Sequence, residues 1–137
     1  MIVQMFDLLI VLKIETDENI EFVSDILNLS PTDSIKKGER KYKLLDESER
    51  NIWMYNKKIR DCKEIGDKLC EFLENIPQLF LRIEELKKIG IVTIRMSVVS
   101  EFAQIGVSLS EKDLTMLSCL KIPFEISIFS WGKCVDE

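Results

Sequence analysis

The sequence predicts an α+β fold: a two-layer sandwich in which an antiparallel or mixed sheet carries its helices on one face. Three observations point there. Apolar and polar residues alternate over three segments, helical stripes fill the gaps between strands, and the two ends of the chain repeat one order of elements.

The first strand covers 6–15. Phe6, Leu8, Ile10, Leu12 and Ile14 share one face, opposite Asp7, Lys13 and Glu15. Leu9 and Val11 make the strand apolar on both faces midway, which places it centrally in the sheet. A helix from Ile20 to Leu29 follows, with Phe22, Val23, Ile26 and Leu27 as its stripe, and Pro31 lies beyond its end. "NIWMYN" (51–56) reads as an aromatic strand. The segment Lys36–Leu44 is expected to pair with it as a hairpin, with "DESER" (46–50) as the turn and Gly38 allowing a bend before it.

From about Asp61 to Asn75 a second helix is predicted on the stripe Cys62, Ile65, Leu69, Leu73 and Ile76. Pro77 breaks or restarts it, because proline cannot donate within the helical ladder. The continuation carries Leu79, Phe80, Ile83 and Leu86, and Gly90 suits a left-handed terminator. Strand 91–99 sets Val92, Ile94, Met96 and Val98 against Thr93, Arg95 and Ser97. Residues 110–121 form a helix with Ser110 as N-cap, Asp113 three residues on, and Leu109 and Leu114 as a hydrophobic staple. A last strand sets Phe124, Ile126 and Ile128 against Glu125 and Ser127.

The order is β-α-β-β-α(α)-β-α-β in a single domain over 1–137. Its β-α-β ends match in helix spacing and in the placing of Pro31 and Pro123. This marks a candidate internal duplication, about 6–58 and 91–132, of two ferredoxin-like halves sharing one sheet.

Composition narrows the chemistry. With 46% hydrophobic and 31% charged residues, the 137-residue chain is neither disordered nor membrane-like. "MFDLLIVLKIE" has no basic leader and is interrupted by Asp7 and Lys13, so it reads as a core strand and the protein as cytoplasmic. There is no histidine, which excludes Ser–His and Cys–His catalysis and His-ligated metals. Cys62, Cys70, Cys119 and Cys134 form no C-x-x-C pair, so free thiols are expected rather than a zinc site or a disulfide framework. Gly66, Gly90, Gly106 and Gly132 are scattered, with no phosphate-cradling loop. No cofactor or metal is expected.

Several of these stretches together resemble the domain of unknown function 4279 family of small, mostly bacterial proteins. The carrying residues are "FDLLIVLKI", "ILNLSPT" with Leu29, Pro31 and Thr32, then Gly38, "NIWMY" with Trp53, and "GVSLSEKDLTMLSCLKIPFEISIF". The resemblance runs over about 6–131 and implies a compact single domain, with an interaction or immunity-type role and no catalytic residues to carry over.

Charge gives the first candidate site. Residues 36–63 hold ten Lys or Arg against five acidic residues, whereas the whole chain carries a net −5. Lys36, Lys37, Arg40 and Lys41 can steer a protein with an acidic surface; equally, lysines on a hairpin guard a sheet edge from other chains. The acidic balance disfavours nucleic acid as partner. Trp53 and Tyr55 share one sheet face, as an aromatic platform if it is open and as core if a helix covers it. Tyr55 joins the four cations in the partner surface. The functional reading is a non-enzymatic binding protein, of immunity type or another interaction module. The alternative is a small-molecule or nucleotide-binding domain, even a weak enzyme, with a pocket at Trp53, Arg60 and Phe102 beside the 100–109 loop.

Overall fold

The structure, a computed structural model, describes residues 5–40, 46–102 and 104–133. Its elements run β1 (Phe6–Thr16), α1 (Ile20–Leu27), β2 (Asp33–Ile35), β3 (Asn51–Cys62), α2 (Ile65–Glu74), α3 (Leu79–Ile89), β4 (Gly90–Phe102), α4 (Glu111–Leu120) and β5 (Phe124–Lys133). The five strands form one mixed sheet in the order β2-β3-β1-β4-β5. Every neighbouring pair is antiparallel except β4 with β5, which is parallel. The α+β class, the mixed sheet and the central first strand are therefore as the alternation predicts.

Register explains the core. Ile10, Leu12 and Ile14 of β1 stand between β4 and β3, with Leu12 opposite Ile94 and Tyr55, and Ile14 opposite Val92 and Trp53. Directly opposed residues point to the same side, so this face is a continuous apolar layer. Leu69, Leu73, Leu79 and Leu86 of α2 and α3, with Val23 and Leu27 of α1, close over it and are almost wholly buried. Helix α4 packs against α2 and α3. At Gly66 a Cβ would fall within 1.9 Å of an Asp113 carboxylate oxygen, so α2 and α4 meet at a residue with no side chain.

Local chemistry sets the ends of the helices. Asn19 caps α1 by accepting the Phe22 N–H at 2.8 Å. Ser110 and Asp113 form the expected capping box on α4. Both helices stop at a left-handed residue, Asn28 and Lys121. Phe22, expected in the stripe of α1, instead faces solvent.

Four sequence expectations are corrected. The aromatic strand continues to Cys62, so the second helix starts at Ile65 rather than Asp61. Gly90 does not end a helix in the left-handed region; it opens β4 in extended backbone. Glycine is needed there for closeness, since a Cβ would stand 2.2 Å from the Glu15 carbonyl oxygen. Among the described residues the strand pairing with β3 is β2, ahead of Lys36, and 41–44 of the expected arm lie outside them. "DESER" is no turn either: its Ser48 N–H donates to Glu39 O and its carbonyl accepts from Gly38 N–H, both at 2.8 Å, so it is the returning arm.

The two β-α-β units differ in strand length and in strand order. β2 runs parallel to β1 but is separated from it by β3, whereas β5 lies directly beside β4.

Trp53 is fully buried, with its indole N–H donating to Ser24 Oγ at 3.0 Å. Trp53→Ala is expected to destabilise by about 3–5 kcal/mol, read as a lower denaturant midpoint at unchanged slope. Lys121, a non-glycine at φ 52°, is expected to gain about 0.5–1 kcal/mol in Lys121→Gly by the same measurement.

Candidate functional site: the β5 edge and the bulged end of the sheet

A sheet exposes two edges, and here they differ. The β2 edge is three residues long and leads into the charged hairpin. Lys36 to Glu39 close a turn, Glu39 N–H donating to Lys36 O at 2.9 Å, with Gly38 at φ +90° in its third position. Lys36, Lys37 and Arg40 are exposed, and Lys41 lies outside the described residues. Their charge is not unopposed. Arg40 faces Glu47 at 3.9 Å, Arg50 reaches Asp17 at 3.2 Å, and Glu39, Asp46 and Glu49 stand on the same two arms. Mixed charge on a short edge is what blocks pairing with other chains.

Among the described side chains, the β5 edge has no such guard. It is ten residues long, and its side chains stay open to solvent: Ile126 38%, Ile128 50%, Phe129 53% and Trp131 76%. Ile126 and Ile128 continue the apolar layer of Met96 and Val98, their register partners, beyond the reach of the helices. Phe129 points to the other face, beside Glu125 and Ser127, so the strand exposes apolar side chains on both sides. Its single described acid, Glu125, is held by Arg95 at 3.1 Å.

At one end of the sheet two strands each carry one residue more than their neighbour. Between Leu8 and Phe6, β1 advances by two while β3 passes from Ile59 to Cys62. Between Ser100 and Phe102, β4 advances by two while β5 passes from Ser130 to Lys133. Such bulges bend a strand and redirect its side chains. Asp61 and Gly132, at φ 52° and 77°, supply the unusual backbone. Between the bulges opens a cavity of about 350 Å³, lined by Asp7, Asp61, Glu101, Phe102 and Trp131 among others. Asp7 Oδ1 accepts the Asp61 N–H at 3.1 Å, which ties the β3 bulge to β1.

The pocket expected from Trp53, Arg60 and Phe102 is not assembled. Trp53 is closed off in the core opposite Ile14, near the far end of β1 from Phe6. Arg60 is exposed beside the β3 bulge, and Phe102 alone lines the sheet-end cavity. Tyr55 does not join the lysines. It lies on the helix-covered face, its ring stacked on Phe72 with centroids 5.8 Å apart. The expected 100–109 loop begins as strand, since Ser100 to Phe102 belong to β4, and beyond it Ile105, Val107 and Leu109 pack against the core as a cover. Sequence reasoning missed the apolar edge, although the run Ile126, Ile128, Phe129, Trp131 was present in the last strand.

The shifted buried groups are two thiols and the carboxylate that one of them meets. Cys70 donates its S–H to Asp113 Oδ1 at 3.0 Å, and burial, aided by that carboxylate, pushes the thiol up to about 12. The same hydrogen bond, with the cap contacts of Ser110, holds Asp113 below the usual carboxylate range. Burial also raises Cys62. Among the described residues no group of three or more His, Cys, Asp or Glu is placed to hold a metal ion. No described helix is long and apolar enough to cross a membrane.

A family model described as "Domain of unknown function (DUF4279)" matches residues 9–131. No curated protein and no solved structure matches the chain.

The shifted thiol has a pH consequence. A folded Cys70 at about 12, against an ordinary 9.0, contributes stability that is fully present below pH 9 and fades as pH rises toward 12. In urea titrations, stability is expected to decline on the alkaline side, and Cys70→Ala is expected to flatten that decline. With Cys134→Ser as background, exposed Cys119 is the thiol expected to react rapidly with a disulfide reagent at pH 8, while Cys62 and Cys70 stay silent until unfolding.

Proposed function

The chain belongs to the DUF4279 family, and from that footing we propose that it is a non-enzymatic protein-binding module that takes its partner along the β5 edge. The observation that carries this reading is the contrast between the edges. One is short and carries mixed charge. The other is long, apolar on both faces and almost neutral. An extended segment laid along β5 satisfies its outward N–H and C=O groups, while Ile126, Ile128 and Phe129 supply apolar contacts on both sides. Trp131, the most exposed large side chain at the seam, has the character of an anchor residue. Binding of this kind blocks or recruits another protein without chemistry, as an immunity-type inhibitor does. The absence of histidine and the raised, buried thiols support the non-enzymatic part.

A second reading takes the sheet-end cavity as a small-ligand site, favoured by the bulges that turn β3 and β5 toward it. Phe102 belongs to it; Trp53 does not.

A display selection of extended peptides on the full chain separates these readings. Binders enriched on the native protein are expected to be lost at least tenfold on Ile128→Lys, with the melting temperature unchanged. They are expected to be retained when Lys36, Lys37 and Arg40 are reversed to Glu. The opposite pattern returns the role to the charged hairpin, and dependence on Phe102→Ala alone favours the cavity.

A further inference from the structure

Resting on the proposed β5 reading, we infer that the partner seated on this edge is a second copy of the same chain, paired antiparallel through β5 about a two-fold axis. The bulge defines where pairing can occur. Beyond Ser130 the backbone is diverted, with Ser130 Oγ bonded to Phe102 O and to the Gly132 N–H, so the regular edge is Phe124 to Ser130. Its midpoint is Ser127. An axis through Ser127 sets Ile126 of each copy opposite Ile128 of the other, and both residues lie on the face of Met96 and Val98. Because residues keep their parity across an antiparallel pair, the helices of both copies lie on one side of a ten-stranded sheet.

Charge permits this pairing. Each chain carries a net −5, yet at the seam Glu125 is neutralised by Arg95, so identical edges meet without like charges opposed. A neutral seam also offers nothing that selects an oppositely charged partner. Area sets the strength. Aromatic side chains offer roughly 150–250 Å² each, so the exposed parts of Phe129 and the two isoleucines within the regular edge amount to about 250–300 Å² per copy. Two copies bring about 500–600 Å² before backbone is counted, the range of weak, transient contacts. The dimer is therefore a weak, concentration-dependent one.

Sedimentation of the full chain from about 10 μM to 1 mM tests this, since interfaces of this size are transient. The expected result is a shift from 16.0 kDa toward twice that mass, abolished by Ile128→Lys with circular dichroism unchanged. Independently, Ser127→Cys, in a chain with Cys119→Ser and Cys134→Ser, is expected to cross-link to itself under oxidised glutathione, because the axis brings the two positions face to face. A dimer insensitive to Ile128→Lys that gives no cross-link overturns the β5 seam. A chain that stays monomeric and uncross-linked, yet retains the edge-dependent peptides of the display selection, overturns the second copy while the binding reading stands. A monomer retaining no such peptides overturns both.

Discussion

Everything in this molecule hangs on β1. It is hydrogen-bonded along both sides, to β3 and to β4, and Ile10, Leu12 and Ile14 are wholly excluded from water. A central strand paired on both edges has nowhere to shift, since a slip of one residue would turn its whole apolar face to the solvent side. Trp53 sits in the core because it opposes Ile14, and β4 must begin at a glycine because Glu15 and Thr16 press against it.

The parts of the fold governed by periodicity were legible from the chain. Alternation in 6–15 and 91–99 identified two of the three interior strands, β1 and β4, and their buried faces, and the Ser110–Asp113 pair located the start of α4. What misled were residues whose meaning depends on a distant neighbour. Cys62 fits a helical stripe, but it pairs with Phe6 and ends a strand. Gly90 resembles a helix terminator, but its lack of a side chain answers to the backbone of Glu15. In the candidate site, the lysines drew attention because charge is visible in one dimension. The edge position of β5 is not, because Ile126 and Ile128 look like core residues until the reach of the helices is known.

On the proposed reading, the bulges and the β5 edge carry the binding surface, and the core does not. The core-facing polar groups are committed: Thr16 donates to Ile89 O, Trp53 to Ser24, and Cys70 to Asp113. On the open face, in a shallow depression bordered by Met54 and Ile52, Asn56 Oδ1 is buried without a hydrogen-bond partner among the described residues.

The central place of β1 also bears on how the chain is made. β1 is synthesised before both of its neighbours, yet Leu12 pairs with Tyr55 and, far along the sequence, with Ile94. Until β4 is made, a strand apolar on both faces waits without its second neighbour. During that interval its N–H and C=O row is open to the β1 of another nascent chain, a hazard that the finished fold removes. The early strand therefore places the exposure of its own edge in the interval before β4 emerges.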